Sequence, residues 1–234
     1  MTKEFVDIVD QRLEVRLRDR KRATYWFIAL ACVFIAITLD VVYGGWLSKI
    51  DVQLAEIKRP VFSRATFLTL MFFDNLGLRG LSAVFLLGTA ILIGRRYKVW
   101  RPFKLSIITL LALNVCIGGV KILTGRCKSW QNFDPCVFTG GMSYPSGHAS
   151  NVILTWGLLA YIILRYSHRY PEKTIRLYWL VAVFAMTMSV ASLIRNTHWM
   201  TDLLGGMFLG GTILIFVVAV DRFVPFVKSP SDKS

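Results

Sequence analysis

The chain has 234 residues, 55% of them hydrophobic, with a mean hydropathy of +0.53. That apolar content excludes an ordinary soluble domain and leaves room for about six spans of roughly 20 residues, and runs of this length exclude a β-barrel, whose strands are shorter and alternating. The net charge of +14 does not indicate a nucleic-acid partner, because the cations lie between apolar runs and not on one basic soluble face; membrane sidedness and anionic lipid account for it.

No repeat, low-complexity tract or interdomain linker interrupts the chain. The expectation is an all-α polytopic membrane protein with one six-helix domain over 23–224, a basic cytoplasmic segment over 1–22 and a cytoplasmic tail over 225–234. The first segment carries Arg12, Arg16, Arg18, Arg20, Lys21 and Arg22 without the period of a buried helix, and reads as a solvated or interfacial helix. The first span, 23–43, is too long and its flanks come too late for a cleaved signal peptide. Residues 48–59 read as a short helix at the membrane surface with Ser48 as its N-cap. Residues 62–76 are apolar but broken by Asp74, Asn75 and Gly77, and the second span follows over 77–93.

The third span, 102–123, carries Lys121 near its far end, and the polar segment Gly125-Arg126-Cys127-Lys128-Ser129 follows at once. The fourth span, 148–163, is entered through Ser143-Tyr144-Pro145-Ser146-Gly147-His148. A polar turn at a helix entrance presents Ser146, backbone N–H groups and His148 to whatever sits above the helix end, which favours an anion. The fifth span covers 177–194, a break follows over 195–202, and the sixth span runs to 220. Of the 28 Lys and Arg, 19 fall in the N-terminal segment, the 95–104 and 165–176 loops and the polar stretch after residue 220, leaving 9 for the other side. This asymmetry puts both termini in the cytoplasm, and gathers Lys121, Arg126, Lys128, His148, Arg195, His198 and Asp202 on the outer side.

Asp202 follows His198 by four residues and Arg195 precedes it by three, offsets that share one face of a helix, so Asp202 can orient the imidazole while its other nitrogen faces the cations. Two histidines, a carboxylate and a cluster of cations suit a phosphate monoester or diphosphate: the cations neutralise the oxygens, one histidine attacks phosphorus and the other protonates the leaving oxygen. Two rivals remain. His148, His198 and Asp202 are acceptable zinc ligands, although the cations oppose a divalent ion; a serine hydrolase built on Ser146 lacks the Gly-x-Ser-x-Gly elbow.

Lys121 with Gly125-Arg126, then Pro145-Ser146-Gly147-His148, then His198-Trp-Met-Thr-Asp202 in a six-span frame resemble the three signature motifs of the type 2 phosphatidic acid phosphatase (PAP2) superfamily, integral-membrane lipid phosphatases related to vanadium haloperoxidases. The resemblance covers about residues 60 to 220. It implies that His198 is the nucleophile, Asp202 its orienting partner and His148 the general acid, that Lys121, Ser146 and the Gly147 amide hold phosphate oxygens, and that no cofactor or metal takes part. Lys128 stands where the family's first motif has arginine, keeping the charge but not the bidentate fork, with Arg126 as a compensating cation. Ser192 stands where the third motif has arginine, and Arg195 is the only arginine nearby.

Cys127 and Cys136 share the outer loop and are expected to form a disulfide there, two free thiols being the alternative. Trp130, Phe133, Phe138, Tyr144 and Trp199 read as an interfacial aromatic belt, and Gly205, Gly206, Gly210 and Gly211 as a close helix-packing stripe. The expected activity is metal-independent hydrolysis of a lipid phosphate or diphosphate headgroup at the outer leaflet of a plasma membrane. Its expected partners are the phosphorylated lipid and the bilayer, without nucleic acid. A phosphotransferase using the same site and a non-catalytic lipid-phosphate binder or transporter are the alternatives.

Overall fold

The computed structural model describes residues 3–129, 142–166 and 174–224, with side chains from residue 13 in the first stretch and from residue 176 in the third. Among them six helices are long and apolar enough to cross a membrane, and the protein is a multi-pass, all-α membrane protein. Helix α1 (Lys3–Tyr43) holds no glycine or proline and runs unbroken through the basic segment into the first span. The chain turns at Gly44, whose φ of +63° is left-handed and suits a residue without a side chain.

Helix α2 (Trp46–Glu56) begins after Gly45. Ser48, expected as its cap, sits inside the first turn; the cap is supplied by Asp40 at the end of α1, whose carboxylate accepts from the Leu47 N–H at 3.2 Å and the Ser48 N–H at 2.9 Å. Helix α3 (Arg64–Asp74) is a separate element that Ser63 caps at 3.2 Å through the Thr66 N–H. Its 11 residues span about 16 Å, too little to cross a bilayer. A tight turn, Asn75–Gly77, and extended Leu78 lead into α4 (Arg79–Tyr97), which starts two residues later than the sequence pattern suggests.

Helix α5 (Arg101–Thr124) starts with Pro102 in its first turn and stops at Gly125, whose φ is +58° and whose N–H returns to the Lys121 carbonyl at 2.9 Å. Helix α6 (Gly147–Asn151), a π-helical turn (Val152–Trp156) and α7 (Gly157–Tyr166) form one continuous rod. Helices α8 (Thr174–Ile194) and α9 (Met200–Phe223) complete the bundle.

The rod is the axis of the bundle: 61% of its most apolar window is buried, against 6% for α1 and 17% for α5. At one end Leu158, Tyr161 and Ile162 pack with Leu86, Ile93 and Val217; at the other Ala149 and Val152 pack with Ala185, Met188 and Leu203. Helix α9 meets the rod backbone to backbone. A Cβ on Gly206 would stand 2.5 Å from the Ser146 carbonyl oxygen, and one on Gly210 2.5 Å from that of Ser150, which is the packing role expected of the glycine stripe.

The break between α3 and α4 is tied to the same rod. Asn151 donates from Nδ2 to the Gly77 carbonyl at 3.1 Å and to Ser82 Oγ at 2.6 Å, and Trp156 Nε1 donates to the Leu76 carbonyl at 3.0 Å. Gly77 lies so close to the rod that a Cβ there would fall 2.6 Å from the Cβ of His148.

Candidate active site

The loop 142–146 delivers the second motif to the head of the rod. Ser146 is the N-cap of α6, its Oγ accepting from the Ala149 N–H at 3.3 Å, so the serine organises the turn that exposes the Gly147 amide. The Ser146 N–H donates to the Asp202 carbonyl at 2.9 Å, which joins the second motif to the third through their backbones. Gly147 and His148 are half-buried while Ser143 to Ser146 are buried.

The third motif does not form the single helix that its spacing suggests. α8 ends at Ile194, Asn196 has a φ of +56°, and α9 begins at Met200 with Trp199 as its N-cap. His198 therefore precedes α9, and Asp202 sits in its first turn. The Asp202 Oδ2 accepts from the Trp199 N–H at 3.2 Å and stands 3.4 Å from His198 Nδ1, so the pairing expected from the i, i+4 offset exists but is made by a helix cap. With the helix broken there, the i, i+3 offset of Arg195 from His198 no longer puts the two on one helix face, although the Arg195 charge still acts on His148. Arg195 pairs instead with the Asp74 carboxylate at the end of α3, and Ser192 donates to the same carboxylate. Arg195 Nε is buried without a hydrogen-bond partner.

Asp202 is fully buried. A buried carboxylate needs compensation, and Arg126 provides it, donating from Nη1 to Asp202 Oδ1 at 2.9 Å and from Nη2 to Asp51 Oδ2 at 2.7 Å. Thr201 donates to Asp51 through its N–H at 3.1 Å and also through its hydroxyl. The Arg126 guanidinium lies over the Trp199 ring at 5.0 Å, and Trp199 Nε1 donates to the Cys127 carbonyl at 2.9 Å. Arg126, expected as a phosphate ligand, directs its terminal nitrogens to these two buried carboxylates. Trp199, expected in an aromatic belt, is likewise part of this network.

Lys121 Nζ donates to the carbonyls of Met142 at 2.6 Å and Ser143 at 3.1 Å, fixing the loop that leads into the second motif. Lys128 is half-buried, and its charge acts on Lys121. The His148 and His198 rings face each other with centroids 6.1 Å apart and planes inclined by 58°. Since His198 turns Nδ1 to Asp202, Nε2 is its free nitrogen. Tyr144, also assigned to the belt, is instead fully buried against Gly205, with its hydroxyl 2.8 Å from Thr38 Oγ1. Burial pushes its phenol up to about 12, so it stays neutral. Trp130, Phe133, Cys136 and Phe138 lie outside the described residues, and with Cys136 the expected disulfide; Cys32 and Cys116 are free cysteines.

Asp51, Asp74 and Arg79 belong to this constellation and were not singled out from sequence. The two acids did leave a signal, as rare carboxylates in a chain with only 14 Asp and Glu.

The PAP2 superfamily matches residues 83–224, more than half of the chain. The chain belongs to the PAP2 superfamily. Phosphatidylglycerophosphatase B of Bacillus subtilis (strain 168) is 27% identical over 143 residues, covering 59% of this chain and 68% of that protein. The crystal structure of a transmembrane PAP2-type phosphatidylglycerolphosphate phosphatase from Bacillus subtilis superposes with a TM-score of 0.72 over 87% of this chain and 100% of that one; at 19% identity it speaks for the fold. As a PAP2 protein the chain is an integral-membrane lipid phosphatase, and its paired histidines and buried Asp202 occupy the motifs that carry the resemblance.

Proposed function

We propose that this PAP2 phosphatase removes the terminal phosphate of a lipid phosphomonoester or diphosphate at the outer face of the membrane, through a phosphohistidine on His198. The observation that carries the reading is the facing histidine pair with one ring anchored: His198 Nδ1 is on buried Asp202, and the His148 ring centroid is 6.1 Å away. A phosphoryl group between the rings can be attacked by His198 Nε2 on one side while His148 donates its proton to the departing ester or phosphate oxygen on the other. The P–N bond forms as the P–O bond breaks. In the second half His148 takes a proton from water, the water oxygen attacks phosphorus, and the P–N bond breaks to release phosphate and regenerate His198. Asp202 holds the imidazole and stabilises its positive charge. The Gly147 amide at the head of the rod, with Lys128 and Lys121, faces the phosphate oxygens.

Candidate substrates are polyprenyl diphosphate, a polyprenyl-phosphoryl sugar phosphate, phosphatidylglycerophosphate and phosphatidate. The name of the Bacillus subtilis relative puts phosphatidylglycerophosphate first for trial. The test is phosphate release by the purified protein from each lipid in the presence of EDTA, for wild type and His198→Ala. Release that survives the chelator and vanishes in the variant supports the reading. A His198 variant as active as wild type, or wild type inert on all four lipids, overturns it.

A further inference from the structure

A phosphatase site needs cations that are free to meet the substrate, yet two of the arginines gathered here are committed to carboxylates. Arg126 lies between Asp51 and Asp202, and Arg195 lies on Asp74. Ser192 stands where the resemblance places an arginine, and it too donates to Asp74. Position 192 of the third motif therefore offers no guanidinium, and its neighbour Arg195 has one terminal nitrogen engaged by Asp74.

The geometry points to Arg79 as the arginine that takes this place and binds the substrate phosphate. Arg79 is the first residue of α4, four residues ahead of the family match, which begins at residue 83. Its guanidinium lies against the second motif: a Cβ on Gly147 would stand 2.8 Å from Arg79 Nη2. Its charge acts on both Lys121 and His148, so it belongs to the same electrostatic field as the site. No described carboxylate pairs with it. Its one described hydrogen bond runs from Nη1 to Asn114 Oδ1 at 2.6 Å, and Asn114 lies seven residues before Lys121, on the same face of α5. That bond leaves Nη2 and Nε for a ligand.

The position is held from both sides. Gly77 abuts His148, while Asn151 and Trp156 hold the carbonyls of Gly77 and Leu76, so the backbone carrying Arg79 is fastened to the helix that carries Gly147 and His148. Intrinsically this is a poor place for a cation. α4 has no side-chain cap and no acid in its first turn, and the positive end of the helix dipole opposes a guanidinium at its head. An anion bound between Arg79 and the Gly147 amide removes both disadvantages, and a planar guanidinium presents the fork that Lys128 lacks.

This inference rests on the phosphatase reading, and the experiment separates the two. Arg79→Gln, which keeps the length and a donor for Asn114, and Arg79→Lys are compared with wild type for kcat/KM on the best lipid and for the thermal shift produced by orthovanadate, a phosphate analogue whose binding needs no turnover. The expected result is a fall in kcat/KM of about 10²-fold or more for Arg79→Gln, part of it recovered in Arg79→Lys. The vanadate shift should be lost in the glutamine variant while its unliganded melting temperature is retained. A folded Arg79→Gln with kcat/KM within about threefold of wild type and an unchanged vanadate shift overturns the inference and leaves the phosphatase reading intact. If wild type hydrolyses none of the lipids, that reading fails alone, and a vanadate shift that depends on Arg79 still supports the anion site.

Discussion

Helix α9 carries two buried carboxylates, Asp202 in its first turn and Asp221 in its last. They lie about 28 Å apart along the axis, one near each face of the bilayer. Asp221 accepts from Arg101 Nε at 2.5 Å, from Tyr161 at 2.7 Å and from Tyr166 at 2.7 Å, and every one of those donors comes from the helices that surround it. Asp202 is satisfied almost as fully, by Arg126, the Trp199 N–H and Ser143, but its remaining contact is a histidine whose ring lies beside that of a second histidine. Burial and charge pairing are therefore common to both ends of the molecule. What distinguishes the end proposed as catalytic is a histidine that the buried acid orients without enclosing it.

The same substitution at the two poles tests this contrast most directly. Asp202→Asn should lower kcat by about 10⁴-fold, because the imidazole loses the partner that sets its tautomer and stabilises its charge. Asp221→Asn should leave kcat per folded molecule unchanged and lower the melting temperature, with a loss of about 3 kcal/mol as the buried Arg101–Asp221 ion pair is broken. Lipid hydrolysis and thermal unfolding of the two purified variants check both expectations; a catalytically dead but folded Asp221→Asn would break the comparison. Arg126→Ala is next in size. It leaves Asp51 and Asp202 buried without their cation, so unfolding should be easier by about 3–5 kcal/mol. A variant as stable as wild type but unable to bind orthovanadate would return Arg126 to the phosphate. The smallest expected effect is that of Tyr144→Phe, which removes the hydroxyl from Thr38 and should cost about 1 kcal/mol with kcat retained, read from the same melting curves.

Much of this molecule is legible from the order of its residues because the bilayer is a strict solvent: a run of about 20 apolar residues has few alternatives to a spanning helix. The six spans appear where those runs lie. α3 is less visible, since an apolar stretch too short to span is distinguished from a span only by its length and by the polar break at Asp74 and Asn75. Spacing within the third motif encodes the His198–Asp202 contact but not the surroundings of Arg195, because helical periodicity does not hold across 195–199, where the chain leaves one helix and starts another. The destinations of Arg126 and Arg195 could not be read from their charge. Both depend on acids, Asp51 and Asp74, that are remote in the chain and converge only through packing. Arg79 was hidden for the same reason: it reaches the site through the Gly77 contact with His148, which no local pattern encodes.

The seam between α9 and the head of the rod has a consequence for how this protein tolerates change. Gly206 and Gly210 perform no chemistry, yet any side chain there drives α9 away from the carbonyls of Ser146 and Ser150, and Asp202 is on the same helix one turn from Gly206. Saturation mutagenesis scored by enzyme activity should rank these glycines beside His148 and His198. Scored by protein abundance, the two classes should separate, with glycine variants depleted and histidine variants present in full.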